Sequence, residues 1–148
     1  MRALIQKVSR ADVAVGGASL GRIGQGLLVL LGVADDDTEE DLSYLLRKII
    51  RMRIFEDADD KMNLSLEDVG GSLLVVSQFT LFANTKKGNR PSFTEAGKPD
   101  FSKMMYEQFI ERCRAAGIHT ECGEFGAHME VSLVNDGPVT IWIDSKNR

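Results

Sequence analysis

Most segments that read as β-strands follow one another too closely along the chain for a helix to lie between them. Residues 2–9, 12–15 and 18–23 read as short strands, and a fully apolar strand covers residues 27–33. Gly16-Gly17 supplies the positive backbone angles of a tight hairpin turn. Since parallel strands need long crossovers, the short links predict antiparallel pairing of neighbouring strands.

Two segments change to helical spacing. In residues 38–53 the apolar side chains recur every three or four positions, at Leu42, Leu45, Leu46, Ile49 and Ile50. The acidic run at residues 35–41 then lies at the positive end of that helix, where carboxylates are stabilising. A second helix is predicted to open at Pro99-Asp100 and to stop at Gly117.

Three further strands complete the pattern, at residues 72–81, 125–134 and 139–143, with a turn at residues 135–137. Seven strands and two helices predict an α+β fold. We expect a curled, barrel-like, mostly antiparallel sheet with two helices packed against it. A length of 148 residues, 43% of them apolar, suits a single domain over residues 1–148.

Charge is unevenly distributed along the chain. The formal net charge is −4, which argues against indiscriminate binding of polyanions such as DNA. Residues 84–103, called the basic loop below, nevertheless hold five basic residues against two acidic ones, with Lys86, Lys87 and Arg90 together. This segment is either a solvated surface loop or a local contact for phosphate.

Several common chemistries are disfavoured by the residues present. The two cysteines, Cys113 and Cys122, are too few for a disulfide scaffold and lack the close paired spacing of a zinc site. The start lacks a signal segment and no apolar run is long enough to span a bilayer, so we expect a cytoplasmic protein without a membrane partner. Loops resembling calcium and nucleotide-phosphate motifs lack required residues.

Histidine chemistry has few places in this chain. His119 is predicted to lie in a loop after the second helix. His128 is predicted to lie exposed in strand 125–134, on the face opposite Phe125 and Met129. An acyl-transfer enzyme built on this chain would therefore have to activate its nucleophile without the usual imidazole.

Two polar segments remain as candidates for function. Ser77, Gln78 and Thr80 follow abruptly on an apolar strand, where they either line a pocket or mark the exit into solvent. Residues 135–140, Asn-Asp-Gly-Pro-Val-Thr, also read as a plain turn with proline at the first position of a strand.

The sequences Ser-Gln-Phe-Thr-Leu at 77–81 and Asn-Asp-Gly-Pro-Val-Thr at 135–140 resemble the two signature motifs of D-aminoacyl-tRNA deacylases. The resemblance extends over the whole chain, including the start at residues 5–11, residues 61–64 and residues 90–93. One departure is Lys7, where many relatives carry arginine, so no particular contact is assigned to it.

The resemblance implies a homodimer of barrel-like protomers that hydrolyses the ester between a D-amino acid and tRNA. No cofactor and no metal-ligating residue is predicted. It implies a catalytic segment formed by Ser77, Gln78, Phe79 and Thr80. Backbone N–H groups near Gln78 and Phe79 would bind the oxyanion, while the 2′-hydroxyl of the terminal adenosine assists water. The competing assignment makes Thr80 a covalent nucleophile, which would need a base that neither histidine is placed to supply.

Gly137 and Pro138 correspond to a Gly-Pro pair that the resemblance implies is cis and enters the partner subunit's active site. Its carbonyl oxygens would occupy the space that an L side chain needs. Glycine has no side chain to clash with them, so glycine misplaced on the alanine tRNA would also be released. Phe125 and Met129 are predicted to line the substrate pocket. Lys86, Lys87 and Arg90 are predicted to contact the acceptor end of tRNA. A non-catalytic RNA-binding module and a small-molecule esterase remain alternatives.

Overall fold

The computed structural model describes residues 1–148. It contains eight strands, three α-helices and one 3₁₀ helix: β1 (Arg2–Val15), β2 (Ala18–Ile23), β3 (Gly26–Gly32), α1 (Glu39–Arg51), β4 (Phe55–Glu56), β5 (Met62–Leu64), α2 (Leu66–Val69), β6 (Ser72–Ser77), the 3₁₀ helix (Phe79–Phe82), α3 (Pro99–Ala115), β7 (Thr120–Cys122) and β8 (Glu130–Asp144). No helix is both long and apolar enough to cross a membrane.

One sheet of six strands organises the molecule. Its order is β2-β1-β3-β6-β7, and β8 pairs with the other side of β1. The sheet curls until β2 approaches β7, since a β-carbon on Gly21 would stand 3.1 Å from the carbonyl oxygen of Cys122. The predicted α+β class and barrel-like sheet are therefore confirmed.

Pairing in the sheet is mixed. β1 pairs antiparallel with β2, β3 and β8, as predicted for strands joined by short links. β3 and β6 are parallel, and so are β6 and β7. The reason is the length of the two connections, because α1 and α3 each serve as a helical crossover that returns the chain in the same direction.

Several predicted boundaries were wrong. β1 is one strand through Ser9 and Arg10, and β8 is one strand through the predicted turn at residues 135–137. These two long strands pair along almost their whole length, which keeps both backbones extended where local sequence favours a break. The strand predicted over residues 72–81 ends at Ser77, and the short helix α2 was not predicted.

The core lies on both faces of the central strands. Leu73 and Val75 of β6 join a cluster with α1 and α3, whereas Leu74 and Val76 join a second cluster with β1 and β2. Burial on both faces explains why the sequence of β6 is continuously apolar rather than alternating. It also leaves the polar residues after Val76 at the end of the strand, where the sheet opens.

The amino end of α1 is fixed by the acidic run. Asp41 accepts hydrogen bonds from the backbone N–H of Thr38 at 2.8 Å and from Lys146 Nζ at 2.8 Å. Burial raises the pKa of the Asp41 carboxyl, but hydrogen bonds from Lys146, Ser145 and Thr38 outweigh it and hold the pKa below its ordinary value. The predicted interaction of these carboxylates with the helix end is thus present, with a basic side chain added from the carboxyl terminus.

Candidate active site

A cavity of about 560 Å³ opens at the carboxyl ends of the parallel strands β3 and β6. Three separate segments form its walls: the end of β6, the loop leading into α3, and the turn that precedes β8. Its lining includes Leu31, Val33, Val76, Ser77, Gln78, Phe79, Phe93, Ala96, Gly97, Pro99, Ser102, Phe125, Gly126, Ala127, His128, Met129 and Val131. The volume lies within the range of about 300–1,000 Å³ that suits a small organic group.

The chain turns sharply after β6 and frees two backbone donors. The N–H of Gln78 donates to the carbonyl oxygen of Leu31 at 2.8 Å. In contrast to the prediction of free donors near this residue, the Gln78 N–H is therefore already paired. The N–H groups of Phe79 and Thr80 begin the 3₁₀ helix and have no acceptor in the chain. The Phe79 N–H therefore remains as a free donor at a residue that lines the cavity, and the free Thr80 N–H lies next to it.

Thr80 is poorly placed for a nucleophile. Its side chain is exposed, it does not line the cavity, and its Oγ1 accepts a hydrogen bond from the Gln78 side-chain amide. His119 lies at the start of β7, where its Nε2 is 3.1 Å from Glu121 Oε1. An amide cannot take a proton from the hydroxyl, so no base activates Thr80 in this arrangement.

Aromatic side chains form the mouth of the cavity. Phe79 is 57% exposed and meets Phe93 edge to face, with ring centroids 5.1 Å apart. An exposed phenylalanine at a cavity mouth offers a flat apolar face, which suits a nucleobase or another planar group.

The structure brings Phe125 and Met129 into the cavity, although not on a strand. Residues 125–129 form a turn, and β8 begins only at Glu130. Gly126 has a φ of +79°, a conformation that ends strand pairing and that the alternating pattern did not reveal. His128 is exposed as predicted, but it lines the same cavity as Met129 instead of the opposite face of a strand.

Gly123 sets the position of Met129. A β-carbon on Gly123 would stand 2.5 Å from Met129 Sδ and 3.3 Å from Val13 Cγ2. The absence of a side chain at residue 123 therefore lets the thioether withdraw from the cavity.

The loop and first turn of α3 supply a wall that sequence reasoning missed. Phe93, Gly97 and Ser102 line the cavity. The signal was present at Gly97, where the backbone comes close to strand β3 and its N–H donates to the Val33 carbonyl oxygen at 2.8 Å.

Gly137 and Pro138 lie outside this cavity, on an exposed bulge of β8. Thr140 pairs with Gln6 and Asn135 pairs with Val8, so residues 136–139 oppose the single residue 7 of β1. Asn135 closes the bulge, since its Oδ1 accepts from the Val139 N–H at 2.8 Å. The Gly137–Pro138 peptide bond is cis.

Lys7 lies beneath that bulge and is only 2% exposed. Its Nζ donates to Glu56 Oε1 at 2.6 Å and to Oε2 at 2.8 Å. The hydrogen bond from Lys7 lowers the pKa of the Glu56 carboxyl. Lys7 therefore joins β1 to the two-stranded ribbon β4–β5.

The basic loop follows the 3₁₀ helix and returns to the cavity at Phe93. Its base is closed by a bridge in which Asn84 and Ser92 exchange backbone hydrogen bonds of 2.8 and 2.9 Å. Lys86, Lys87 and Arg90 are exposed at its tip and do not line the cavity. The three cations are thus exposed on the loop that leads into the cavity wall at Phe93.

Free backbone donors, an aromatic mouth and a basic loop are features that suit a polar substrate carried on a larger anionic molecule. Residues 4–144 match the family model described as "D-Tyr-tRNA(Tyr) deacylase". The D-aminoacyl-tRNA deacylase of Thermosipho africanus is 57% identical over 146 residues, which cover 99% of this chain and 98% of that protein. The chain belongs to this deacylase family, and it is a hydrolase of D-aminoacyl-tRNA esters that acts in translation quality control.

Two solved structures are similar to the whole fold. One, described as "c-Myc DNA Unwinding Element Binding Protein", is 40% identical with a TM-score of 0.91, and the match covers 97% of this chain and 98% of that one. Another, described as "Structural Analysis of a probable eukaryotic D-amino acid tRNA deacylase", has a TM-score of 0.85 at 20% identity, covering 96% of this chain and 97% of that chain. At that lower identity the likeness concerns the fold alone.

Proposed function

We propose that the enzyme cleaves the ester with water, assisted by the 2′-hydroxyl of the terminal adenosine rather than by a protein nucleophile. The observation that carries this proposal is the pair of free N–H groups at Phe79 and Thr80, next to a threonine that lacks a base. Water adds to the ester carbonyl carbon and gives up a proton through the 2′-hydroxyl, and the former carbonyl oxygen becomes negatively charged in the tetrahedral intermediate. The C–O3′ bond then breaks, and the 3′-oxygen leaves with that proton, which frees the D-amino acid and the tRNA.

The two backbone donors account for oxyanion stabilisation. Removal of a single donor of this kind costs about 2.7–4 kcal/mol of barrier in a well-studied protease. Gln78 positions the segment, since its backbone N–H anchors the chain to β3 and its side-chain amide donates to Thr80 Oγ1. The catalytic segment therefore acts mainly through its backbone geometry.

The functional unit is a homodimer in which each β8 bulge enters the active site of the partner. Three features of β8 support this assembly: the bulge is exposed, its strand has β1 as its one partner, and Val134 and Trp142 are exposed apolar residues on the same strand. An unpaired edge bearing apolar side chains is a typical surface for association. The carbonyl oxygens of Gly137 and Pro138 then exclude an L side chain from the partner's cavity.

A steric clash with the side chain of an L-amino acid cannot exclude glycine, because glycine has no side chain. We therefore expect glycyl-tRNA, including glycine misplaced on the alanine tRNA, to be hydrolysed with D-aminoacyl-tRNA while L-alanyl-tRNA survives. A clash discriminates by several kcal/mol, whereas a missing methyl group forfeits only about 1–3 kcal/mol of binding. If glycyl-tRNA were as resistant as L-alanyl-tRNA, selection would depend on contacts to the D side chain instead.

The basic loop holds the acceptor end of the tRNA through phosphate contacts from Lys86, Lys87 and Arg90. A net charge of −4 over the whole chain disfavours indiscriminate binding of polyanions, so a local contact at this loop is the expected mode. The description of the 40%-identical protein says that it binds a DNA unwinding element, so duplex DNA is the appropriate competitor in binding assays. Because the substrate is aminoacyl-tRNA, we expect the enzyme to act in the cytoplasm.

Turnover of D-tyrosyl-tRNA tests the proposal directly. Catalytic amounts of protein should release free D-tyrosine over many cycles, with L-tyrosyl-tRNA intact at the same enzyme concentration. Stoichiometric binding without release would favour an RNA-binding module. Efficient cleavage of D-tyrosine esters that lack the tRNA would favour a small-molecule esterase.

A further inference from the structure

One hydroxyl in the wall of the cavity has no partner within the chain. Ser102 is 8% exposed and lines the cavity. Every side-chain oxygen or nitrogen that is closed off from solvent has a hydrogen-bond partner. The Ser102 Oγ has none, so it must be reached by solvent, and the cavity is the opening beside it.

Two neighbours leave this hydroxyl accessible. A β-carbon on Gly97 would stand 2.7 Å from the Ser102 Oγ, so the glycine keeps the space above the oxygen clear. Lys98 pairs with the Ser102 backbone, because its carbonyl oxygen accepts from the Ser102 N–H at 2.9 Å, and this leaves the hydroxyl as the group without a partner.

The hydroxyl proton of Ser102 needs an acceptor atom in the substrate. The α-ammonium of the amino acid carries donors only, so it is a poor partner for that proton. In the reaction proposed above, the ester carbonyl oxygen is bound by the N–H groups of Phe79 and Thr80. The polar atoms that remain belong to the terminal adenosine, which is common to all tRNAs, whereas the amino-acid side chain varies.

We propose that Ser102 donates a hydrogen bond to an acceptor atom of the terminal adenosine, either a ribose oxygen or an adenine ring nitrogen. Ser102 is thus a substrate-positioning residue, and this inference rests on the proposed function of the cavity. A buried hydroxyl directed at the constant part of the substrate would fix its register for every D-amino acid.

Binding of a stable analogue tests the assignment without turnover. The analogue is D-phenylalanine joined by an amide to 3′-amino-3′-deoxyadenosine, and its Kd is measured by calorimetry with wild type and Ser102→Ala. Removing one neutral hydrogen bond should weaken binding about five- to tenfold, since such bonds contribute roughly 1 kcal/mol. Ser43→Ala is the control, because that helical hydroxyl lies outside the cavity and pairs with Arg112.

Analogues that each lack one acceptor identify the atom. The series comprises the 2′-deoxy, 1-deaza, 3-deaza and 7-deaza forms of the same amide. One of these analogues should bind wild type about five- to tenfold more weakly than the parent analogue does. That same analogue should bind Ser102→Ala as tightly as it binds wild type, because the hydrogen bond is already lost when either partner is removed.

Unchanged Kd values for the parent analogue in Ser102→Ala would overturn the inference alone. The inference would also be overturned if Ser102→Ala weakened the binding of every analogue by the same factor as it weakens the binding of the parent. Failure of wild type to bind any of the analogues would instead contradict the proposed function of the cavity. Thermal unfolding of Ser102→Ala separates these effects from stability, because alanine is at least as good a helix former as serine.

Discussion

The space at Gly123 determines how large an amino acid the cavity accepts, and Gly123→Ala tests this. A β-carbon there would lie 2.5 Å from Met129 Sδ, whereas ordinary contacts are about 3.5–4.0 Å. The sulfur must therefore move by about 1 Å. Because Val13 stands behind residue 123 and the Met129 side chain is flexible, the thioether is displaced toward the cavity.

We expect this displacement to act on the D side chain of the substrate. Overpacking of this size costs about 1–3 kcal/mol, and 1.4 kcal/mol is a factor of about ten. Deacylation of D-tyrosyl-tRNA should fall about tenfold in kcat/KM, while glycyl-tRNA, which has no side chain, should be cleaved at nearly the wild-type rate. The assay measures initial rates of both substrates at equal enzyme concentration.

Gly24→Ala is the matched control, because a β-carbon at residue 24 meets nothing within 4 Å. Equal losses for D-tyrosyl- and glycyl-tRNA in Gly123→Ala would show a general distortion and refute the reasoning. No loss for either substrate would show that Met129 does not face the amino-acid side chain.

Three further outcomes are expected. Thr80→Ala should keep deacylase activity within about tenfold of wild type, whereas loss near the millionfold typical of a removed nucleophile would restore the covalent assignment. Alanine at Lys86, Lys87 and Arg90 together should lower the slope of log Kd against log salt for tRNA by about two to three, and an unchanged slope would make this a solvated loop. The pKa of the Asp41 carboxyl is lower in the folded protein than its unfolded value, near 3.8. The ionised carboxylate therefore stabilises the fold above that unfolded pKa, and this contribution is lost progressively as the pH falls from there through the folded pKa. Urea unfolding from pH 6 to 3 should therefore show a smaller decline in Asp41→Asn, and parallel curves would contradict this.

The amino-acid sequence by itself determined the elements whose signals are local. The hairpin at Gly16-Gly17, the amphipathic helix α1 and the start of α3 at Pro99 lie where predicted. Each depends on residues within a few positions of one another, through turn geometry, apolar spacing or a helix-start signal. The change from apolar to polar side chains at Ser77 was also visible locally, although the strand was predicted to run to residue 81 and ends at Ser77.

Only the tertiary structure decided what depends on distant neighbours. β1 and β8 are long because each holds the other extended, and β6 is parallel to β3 because α1 crosses over the sheet. The cavity joins the end of β6 with Ser102 and Met129 from two other segments, and no pattern along the chain relates those positions. The Gln78 N–H was lost as a free donor because the Leu31 carbonyl on a neighbouring strand accepts from it, a contact that exists only once the strands are paired.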